Sequence, residues 1–242
     1  DFHRRCCRPE GTVIIAVGSF QEDSLLRTIR EYFSNWKEPE CPPLEVNKVS
    51  NQLDSSKKYI SLEGREQIAV LIGSPAPPML HRDSYAIAVL SGILGEGIGS
   101  RLGRNIRETG LSYHVSSLYI PHMDRGRILS LLLTSPSSFS LAFQKLKREL
   151  EDLTEKTVSR NELRLEQASW MGRKKLGMMK YSNITQILLT YASMNLPLDH
   201  DRETMQKILK LTDEDIRLAA ERWLGSGITY VSIAGGLNKI PD

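Results

Sequence analysis

The spacing of apolar residues along the 242-residue chain predicts strands and amphipathic helices in alternating blocks. Residues 12–17, TVIIAV, are apolar and mostly β-branched, which predicts a buried strand. A helix is predicted next, in EDSLLRTIREYFSNW, because four apolar residues share one helical face: Leu25, Ile29, Tyr32 and Phe33. Residues 38–57 have no periodicity and are rich in Pro, Asn and Ser, so they are the candidate linker.

The chain after the linker predicts one α+β domain over residues 58–238. Strands are predicted in KKYISLE, EQIAVLIGSP, SYHVSSLYIP, GRILSLLLTS and ITYVSIAGG, and helical patterns lie between them. Ser159 with Glu162, and Thr212 with Asp215, have the spacing of capping boxes that begin helices. Paired strands separated by blocks of helices predict a mainly antiparallel sheet that is covered by helices on one face.

The stretch LSGILGEGIGSRLGRNIRETGLSYHV, residues 90–115, combines six glycines with three arginines. A dinucleotide-binding loop would need GxGxxG directly after a strand, and a P-loop would need GK[ST]; neither is present. Glycine accepts the positive φ of tight turns, which predicts a helix-to-helix turn at Gly95, Gly97 and Gly99. The second helix is predicted over residues 100–109, with Gly110 as its C-cap.

Composition narrows the possible partners and surroundings. The formal net charge is +3, from 32 basic and 29 acidic residues, which is too small and too scattered for a nucleic-acid-binding surface. No apolar run approaches the roughly 20 residues that span a bilayer, so we expect a soluble protein, in the cytoplasm or periplasm. Cys6, Cys7 and Cys41 are expected to be free thiols. No signal peptide is visible, and the start at Asp1 suits a fragment of a longer chain.

No catalytic constellation can be found from the residues alone. The chain has five histidines, and no two of them have the i, i+4 spacing of a zinc pair on a helix. HxxEH is absent, and so is the GxSxG motif of a serine nucleophile. The sequence therefore predicts neither a metal site nor a catalytic residue in this chain.

The motif Ser100-Arg101-Leu102, followed by GLSY at residues 110–113, resembles the M16 metallopeptidases, which include insulinase, pitrilysin and mitochondrial processing peptidase. RPEGTVIIAVGSF, REYFSNW and TVSRNELRLEQASW are similar to further segments of this family. The resemblance implies a protein of two similar halves, of which one carries HxxEH and zinc. Residues 1–37 resemble the terminal strand and helix of the preceding half, and residues 58–238 resemble a complete non-zinc half.

This resemblance also implies a function. The chain would enclose and position a peptide for hydrolysis by a zinc-bearing half, in the same chain or in a homo- or heterodimer, and would not cleave peptides alone. Arg107 and Tyr113 match residues that hydrogen-bond the substrate backbone near the scissile bond, although five residues separate them here and six in many members. The alternative is that Arg107 pairs with a surface acid and Tyr113 packs on the sheet.

Two further expectations depend on the missing HxxEH. Glu162 and Glu166 lie on the helix similar to the one that supplies the third zinc ligand in a zinc half, and here they are expected to cap and decorate that helix. Zinc is expected only in the partner half. A second class of function remains open, a non-catalytic structural or regulatory subunit of a heteromeric complex, as in respiratory-complex core proteins.

Overall fold

The computed structural model describes residues 2–41, 55–225 and 230–236. The chain forms two compact units, one from residues 1–51 and 172–203, the other from residues 52–171 and 204–242. Most of the predicted linker, residues 38–57, lies outside the described residues.

The second unit contains a five-stranded sheet with the strand order β1-β5-β2-β4-β3. The strands are β1 (Ser56–Ser61), β2 (Ile68–Ala76), β3 (His114–Ile120), β4 (Gly126–Thr134) and β5 (Tyr230–Gly235). β1 pairs with β5 in parallel, and the other three pairs of neighbours are antiparallel. The α+β class and the mainly antiparallel sheet are therefore confirmed.

Two of the described helices begin at capping boxes. The helices are α1 (Phe2–Cys6), α2 (Glu22–Phe33), α3 (Ser84–Gly95), α4 (Phe139–Glu155), α5 (Arg160–Gly177), α6 (Tyr181–Ser193), α7 (His200–Lys210) and α8 (Asp213–Leu224). At the start of α5 the Ser159 hydroxyl accepts from the Glu162 N–H at 3.2 Å, and the Glu162 carboxylate accepts from the Ser159 N–H at 2.9 Å. Thr212 and Asp215 form the same reciprocal box at α8. Both predicted capping boxes are confirmed.

One face of the sheet is covered by helices. Burial alternates along β4, so that its even-numbered residues, from Gly126 to Thr134, are buried and the intervening side chains are more exposed. The buried side chains of the sheet pack against apolar residues of α3, α4 and α8 and form one core with them. Its members include Ile68, Val70, Ile72, Leu90, Leu94, Leu132, Leu146 and Ala220. Removal of these side chains from water is the main favourable contribution to the stability of this unit.

The predicted strand at residues 12–17 is not formed, so that prediction is wrong. Val13 and Ile14 are 39% and 49% exposed. The following helix, α2, has its predicted place but no buried residue. A strand needs neighbours to satisfy its backbone N–H and C=O groups, and none of the described strands pairs with this segment.

Candidate functional site

Of the three glycines predicted to form a turn, Gly95 is the last residue of α3, and Gly97 and Gly99 lie in the turn that follows it. The helix ends at Gly95, and Gly97, two residues later, has a φ of 78°, which residues with a side chain rarely adopt. Gly99 lies in the same turn, with no atom within 4 Å of the place where a Cβ would be. A Cβ on Gly95 would come within 2.1 Å of the Ser117 backbone nitrogen. Gly95 therefore allows the end of α3 to pack directly on β3.

The predicted helix over residues 100–109 is only partly correct. Residues 101–102 are α-helical, and Gly103–Arg107 form a π-helical turn, in which the Glu108 N–H donates to the Gly103 carbonyl at 2.9 Å. Apolar spacing over a single turn cannot distinguish an α-helix from a π-turn, because both bury the same one or two residues. Gly110, with a φ of 75°, then reverses the chain towards β3.

The three arginines of this segment have different surroundings. Arg101 is mostly buried and donates two hydrogen bonds to the Glu162 carboxylate, at 2.8 and 3.1 Å. The hydrogen bonds from Arg101 are the main reason that the pKa of Glu162 is lowered to about 2. Burial of the carboxylate raises its pKa, and hydrogen bonds from Ser159 lower it further. The same pair raises the pKa of Arg101. Arg101 therefore fixes the turn to α5 and is not available to a ligand.

Arg107, by contrast, is exposed at the end of the π-helical turn. Within the part of the chain that the structure describes, its guanidinium makes no ion pair or hydrogen bond. Arg104 is intermediate between the other two, because it is 47% exposed and lies 3.6 Å from the Glu162 carboxylate. The guanidinium of Arg107 can therefore accept a new partner without breaking an existing contact among these residues.

Tyr113 comes directly before β3 and is 61% exposed. Its backbone N–H donates to the Leu133 carbonyl at 2.9 Å, which fixes its Cα at the end of the sheet. The Leu111 N–H donates to the Ile106 carbonyl at 3.1 Å, so the short connection from the π-turn is also ordered by hydrogen bonds. The structure thus leaves the polar ends of Arg107 and Tyr113 accessible, and a substrate contact by either residue stays a prediction.

Glu166 differs from its expected role. It is 7% exposed and buried, so the expectation that it decorates the surface of α5 is wrong. A Cβ on Gly92 would come within 2.1 Å of the Glu166 carboxylate, so the acid lies directly against the backbone of α3. The absence of a side chain on Gly92 leaves the space that the Glu166 carboxylate occupies, and a larger residue there would displace it. Glu162, one turn earlier, does cap the helix as expected.

The surroundings of Glu166 do not fit a zinc site. α3, the helix that the carboxylate contacts, has the sequence SYAIAVLSGILG and contains no histidine, cysteine, aspartate or glutamate. Across residues 2–41, 55–225 and 230–236, no three His, Cys, Asp or Glu side chains are grouped so that they could hold a metal ion. In the same ranges, every helix is too short or too polar to cross a membrane.

Comparison with known protein families shows to which family the chain belongs. The family model described as the peptidase M16 inactive domain matches residues 1–169. The chain belongs to the M16 peptidase family. An uncharacterized zinc protease of Mycobacterium tuberculosis is 26% identical over 250 residues, which cover 100% of the chain and 56% of the relative. One from Streptomyces coelicolor is 25% identical over 242 residues, which cover 93% of the chain and 50% of the relative. This M16 chain spans about half the length of the curated relatives it matches.

Solved structures show the same fold. A protease from Helicobacter pylori matches 90% of this chain and 53% of its own, with a TM-score of 0.78 and 19% identity. A peptidase M16 inactive domain from Pseudomonas fluorescens matches 92% of this chain and 53% of its own, with a TM-score of 0.77 and 21% identity. The resemblance seen in the sequence is confirmed, and the chain corresponds to the inactive type of M16 domain.

Proposed function

We propose that this M16 chain is the non-catalytic half of a zinc metallopeptidase, which encloses a peptide and positions it for hydrolysis by a zinc-bearing half. The proposal rests on one observation, the different surroundings of three polar residues in one short segment. Arg101 is hydrogen-bonded to Glu162, whereas Arg107 and Tyr113 have exposed side chains on a hydrogen-bonded backbone. A rigid backbone with accessible polar ends is suited to hold a ligand in one orientation.

The two side chains have complementary hydrogen-bonding chemistry. The guanidinium of Arg107 offers several N–H donors in a fixed plane, which suits the carbonyl oxygens of a peptide. The phenol of Tyr113 can donate to a carbonyl or accept from a peptide N–H. Together they would fix a substrate backbone and favour negative charge on the carbonyl oxygen during hydrolysis. The hydrolysis itself is assigned to the partner half.

The amino-terminal region supports the need for a partner. Residues 12–17 are apolar but exposed, and α2 has no buried residue. In the proposed assembly this region, residues 1–37, completes the preceding half, whose strands would pair with it. The partner half could belong to the same chain or to a second subunit, and a homo- or heterodimer would satisfy the second arrangement.

The competing function, a structural or regulatory subunit without a role in proteolysis, has less support. The relatives that match over nearly all of the chain are named zinc proteases. One solved structure of similar fold, described as Complex III2 from Candida albicans, has a TM-score of 0.76 but only 15% identity, which shows the fold alone. The position of HxxEH, upstream in the same gene or in a neighbouring gene, distinguishes a single-chain enzyme from a heteromeric one.

The proposal is tested with the HxxEH-bearing half supplied. Arg107→Ala and Tyr113→Phe should each lower kcat/KM for peptide cleavage by about ten- to a hundredfold, since a charge-assisted hydrogen bond contributes roughly 1.5–3 kcal/mol. Arg148→Ala, which removes an exposed arginine of α4, is the matched control and should leave kcat/KM unchanged. If the Arg107 and Tyr113 variants cleave peptides at the wild-type rate, the proposed role is wrong.

A further inference from the structure

The connection between α5 and α6 is a short turn whose backbone is held by hydrogen bonds. The Met179 N–H donates to the Leu176 carbonyl at 3.2 Å, and the Lys180 N–H donates to the Gly177 carbonyl at 3.3 Å. The side-chain amide of Asn183 donates to the same Gly177 carbonyl at 3.1 Å. These bonds satisfy carbonyl groups at the end of α5 and fix the turn. We call residues 175–181 the α5–α6 tip, and all of them belong to the first compact unit.

The α5–α6 tip has several apolar side chains in contact with solvent. Leu176 is 66% exposed, Met178 48%, Met179 78% and Tyr181 66%. A single exposed apolar residue is ordinary on a protein surface, whereas four of them within six consecutive positions form a patch. Patches of this kind mark sites that bind a partner protein or a membrane.

Charge at the α5–α6 tip is of one sign. Lys175 and Lys180 are exposed and lie on either side of the two methionines. Residues 167–198 contain no aspartate or glutamate. Asp201, which follows them in α7, lies 2.5 Å from the amine of Lys174, so its charge is balanced within the unit. The tip therefore attracts a partner that carries negative charge.

The size and composition of the patch favour a membrane surface over a folded protein. Four partly exposed side chains of this kind offer roughly 400 Å² of apolar area, about half of the approximately 800 Å² that each partner of a stable protein pair buries. A bilayer needs no matching shape, because lipids rearrange around inserted side chains. Tyrosine suits the boundary of a bilayer, and lysine can keep its stem in the apolar layer while its amine contacts phosphate.

We propose that the α5–α6 tip binds the surface of a membrane that contains anionic lipids. The side chains of Leu176, Met179 and Tyr181 would enter the layer between the lipid head groups, and the amines of Lys175 and Lys180 would lie near the lipid phosphates. The inference concerns peripheral attachment of the chain to a membrane and goes beyond the proposed role in peptide hydrolysis.

The test measures binding of the chain to vesicles by co-sedimentation. Vesicles of equal parts phosphatidylcholine and phosphatidylglycerol should bind the chain more than about tenfold more tightly than vesicles of phosphatidylcholine alone, since each lysine near an anionic surface raises the affinity about fivefold. The double variant Lys175→Glu/Lys180→Glu should lose this preference. Lys37→Glu/Lys210→Glu, which makes the same change in net charge at two exposed lysines outside the tip, should keep it.

Met179→Gln tests the apolar contribution. The side chain is 78% exposed, so the fold should tolerate the change, and binding to the mixed vesicles should fall about three- to tenfold. Met123→Gln is the matched control, because Met123 is also exposed, in the connection between β3 and β4, and this variant should bind as tightly as wild type.

Several outcomes would overturn the inference. They are absent binding to the mixed vesicles, equal binding to both kinds of vesicle, and an unchanged preference in Lys175→Glu/Lys180→Glu. Loss of vesicle binding when an HxxEH-bearing half is added would also overturn it, because that half would then cover the tip, as would self-association that Met179→Gln abolishes. None of these outcomes affects the cleavage test of Arg107 and Tyr113, so the two proposals fail separately.

Discussion

Residues 12–17 and β2 are both short, apolar and rich in β-branched residues, yet only β2 is a strand. β2 lies between β4 and β5, so strands on both sides satisfy its backbone groups, and Ile72 is only 2% exposed. Residues 12–17 have no strand neighbour in the described ranges, and Ile14 is 49% exposed. The difference shows that apolar sequence makes a segment competent for a sheet, whereas pairing decides whether it joins one.

The largest effect is expected from the same truncation made on both sides of this comparison. Ile72→Ala should lower the free energy of unfolding by about 2–5 kcal/mol, because it leaves a cavity in the covered core. Ile14→Ala should change it by less than about 0.5 kcal/mol, because that side chain is already in solvent. Urea denaturation measures both values. Similar losses in the two variants would show that residues 12–17 are packed, which breaks the comparison.

The same comparison explains which parts of the fold could be predicted from sequence. The strands of the sheet and the capping boxes at Ser159 and Thr212 depend on local patterns, which the sequence displays directly. The strand at residues 12–17 was a wrong prediction because the pattern carries no information about whether a neighbouring strand is present. The π-helical turn was missed because it is too short for a periodic signal.

Within the candidate site, long-range pairing limited prediction in a similar way. The turn at Gly97 and Gly99 lies where local spacing predicts a turn. The pairing of Arg101 with Glu162 joins residues 61 positions apart, and no local pattern reveals it. The only signal for the burial of Glu166 is Gly92, whose missing side chain leaves space for the carboxylate.

A second prediction contrasts two arginines of the same segment. Arg101→Ala should lower the free energy of unfolding by about 1.5–3 kcal/mol, since it leaves the carboxylate of Glu162 without its principal partner. The matched change Arg107→Ala should have little effect, because that side chain is exposed. Thermal unfolding measured by circular dichroism separates the two. An equal loss in both variants would mean that Arg107 is part of the framework.

This contrast should depend on pH in a defined direction. The pKa of Glu162 in the folded protein is about 2, below its ordinary value of 4.5, so ionisation of this carboxylate favours the folded state. Its contribution is present in full above about pH 4.5 and is lost as the pH falls towards 2. The stability difference between wild type and Arg101→Ala should therefore shrink over this range. A difference that is constant across it would contradict the assignment of the ion pair.

The smallest change in stability is expected from substitutions in the glycine turn after α3. Gly97→Val should lower the free energy of unfolding by about 1–2 kcal/mol, because a β-branched residue is strained at a φ of 78°. Gly99→Ala, where no positive φ and no nearby atom opposes a side chain, should be close to neutral. Chemical denaturation resolves the difference, and equal effects would show that the backbone at Gly97 is not what requires glycine.

The most direct test of the central claim is to measure bound zinc and peptide cleavage for this chain alone and with an HxxEH-bearing half. The chain alone should bind no stoichiometric zinc and cleave no peptide, because its described residues offer no metal site. Cleavage that EDTA abolishes should appear when the zinc-bearing half is added. Tight, stoichiometric zinc together with EDTA-sensitive cleavage by the chain alone would contradict the account.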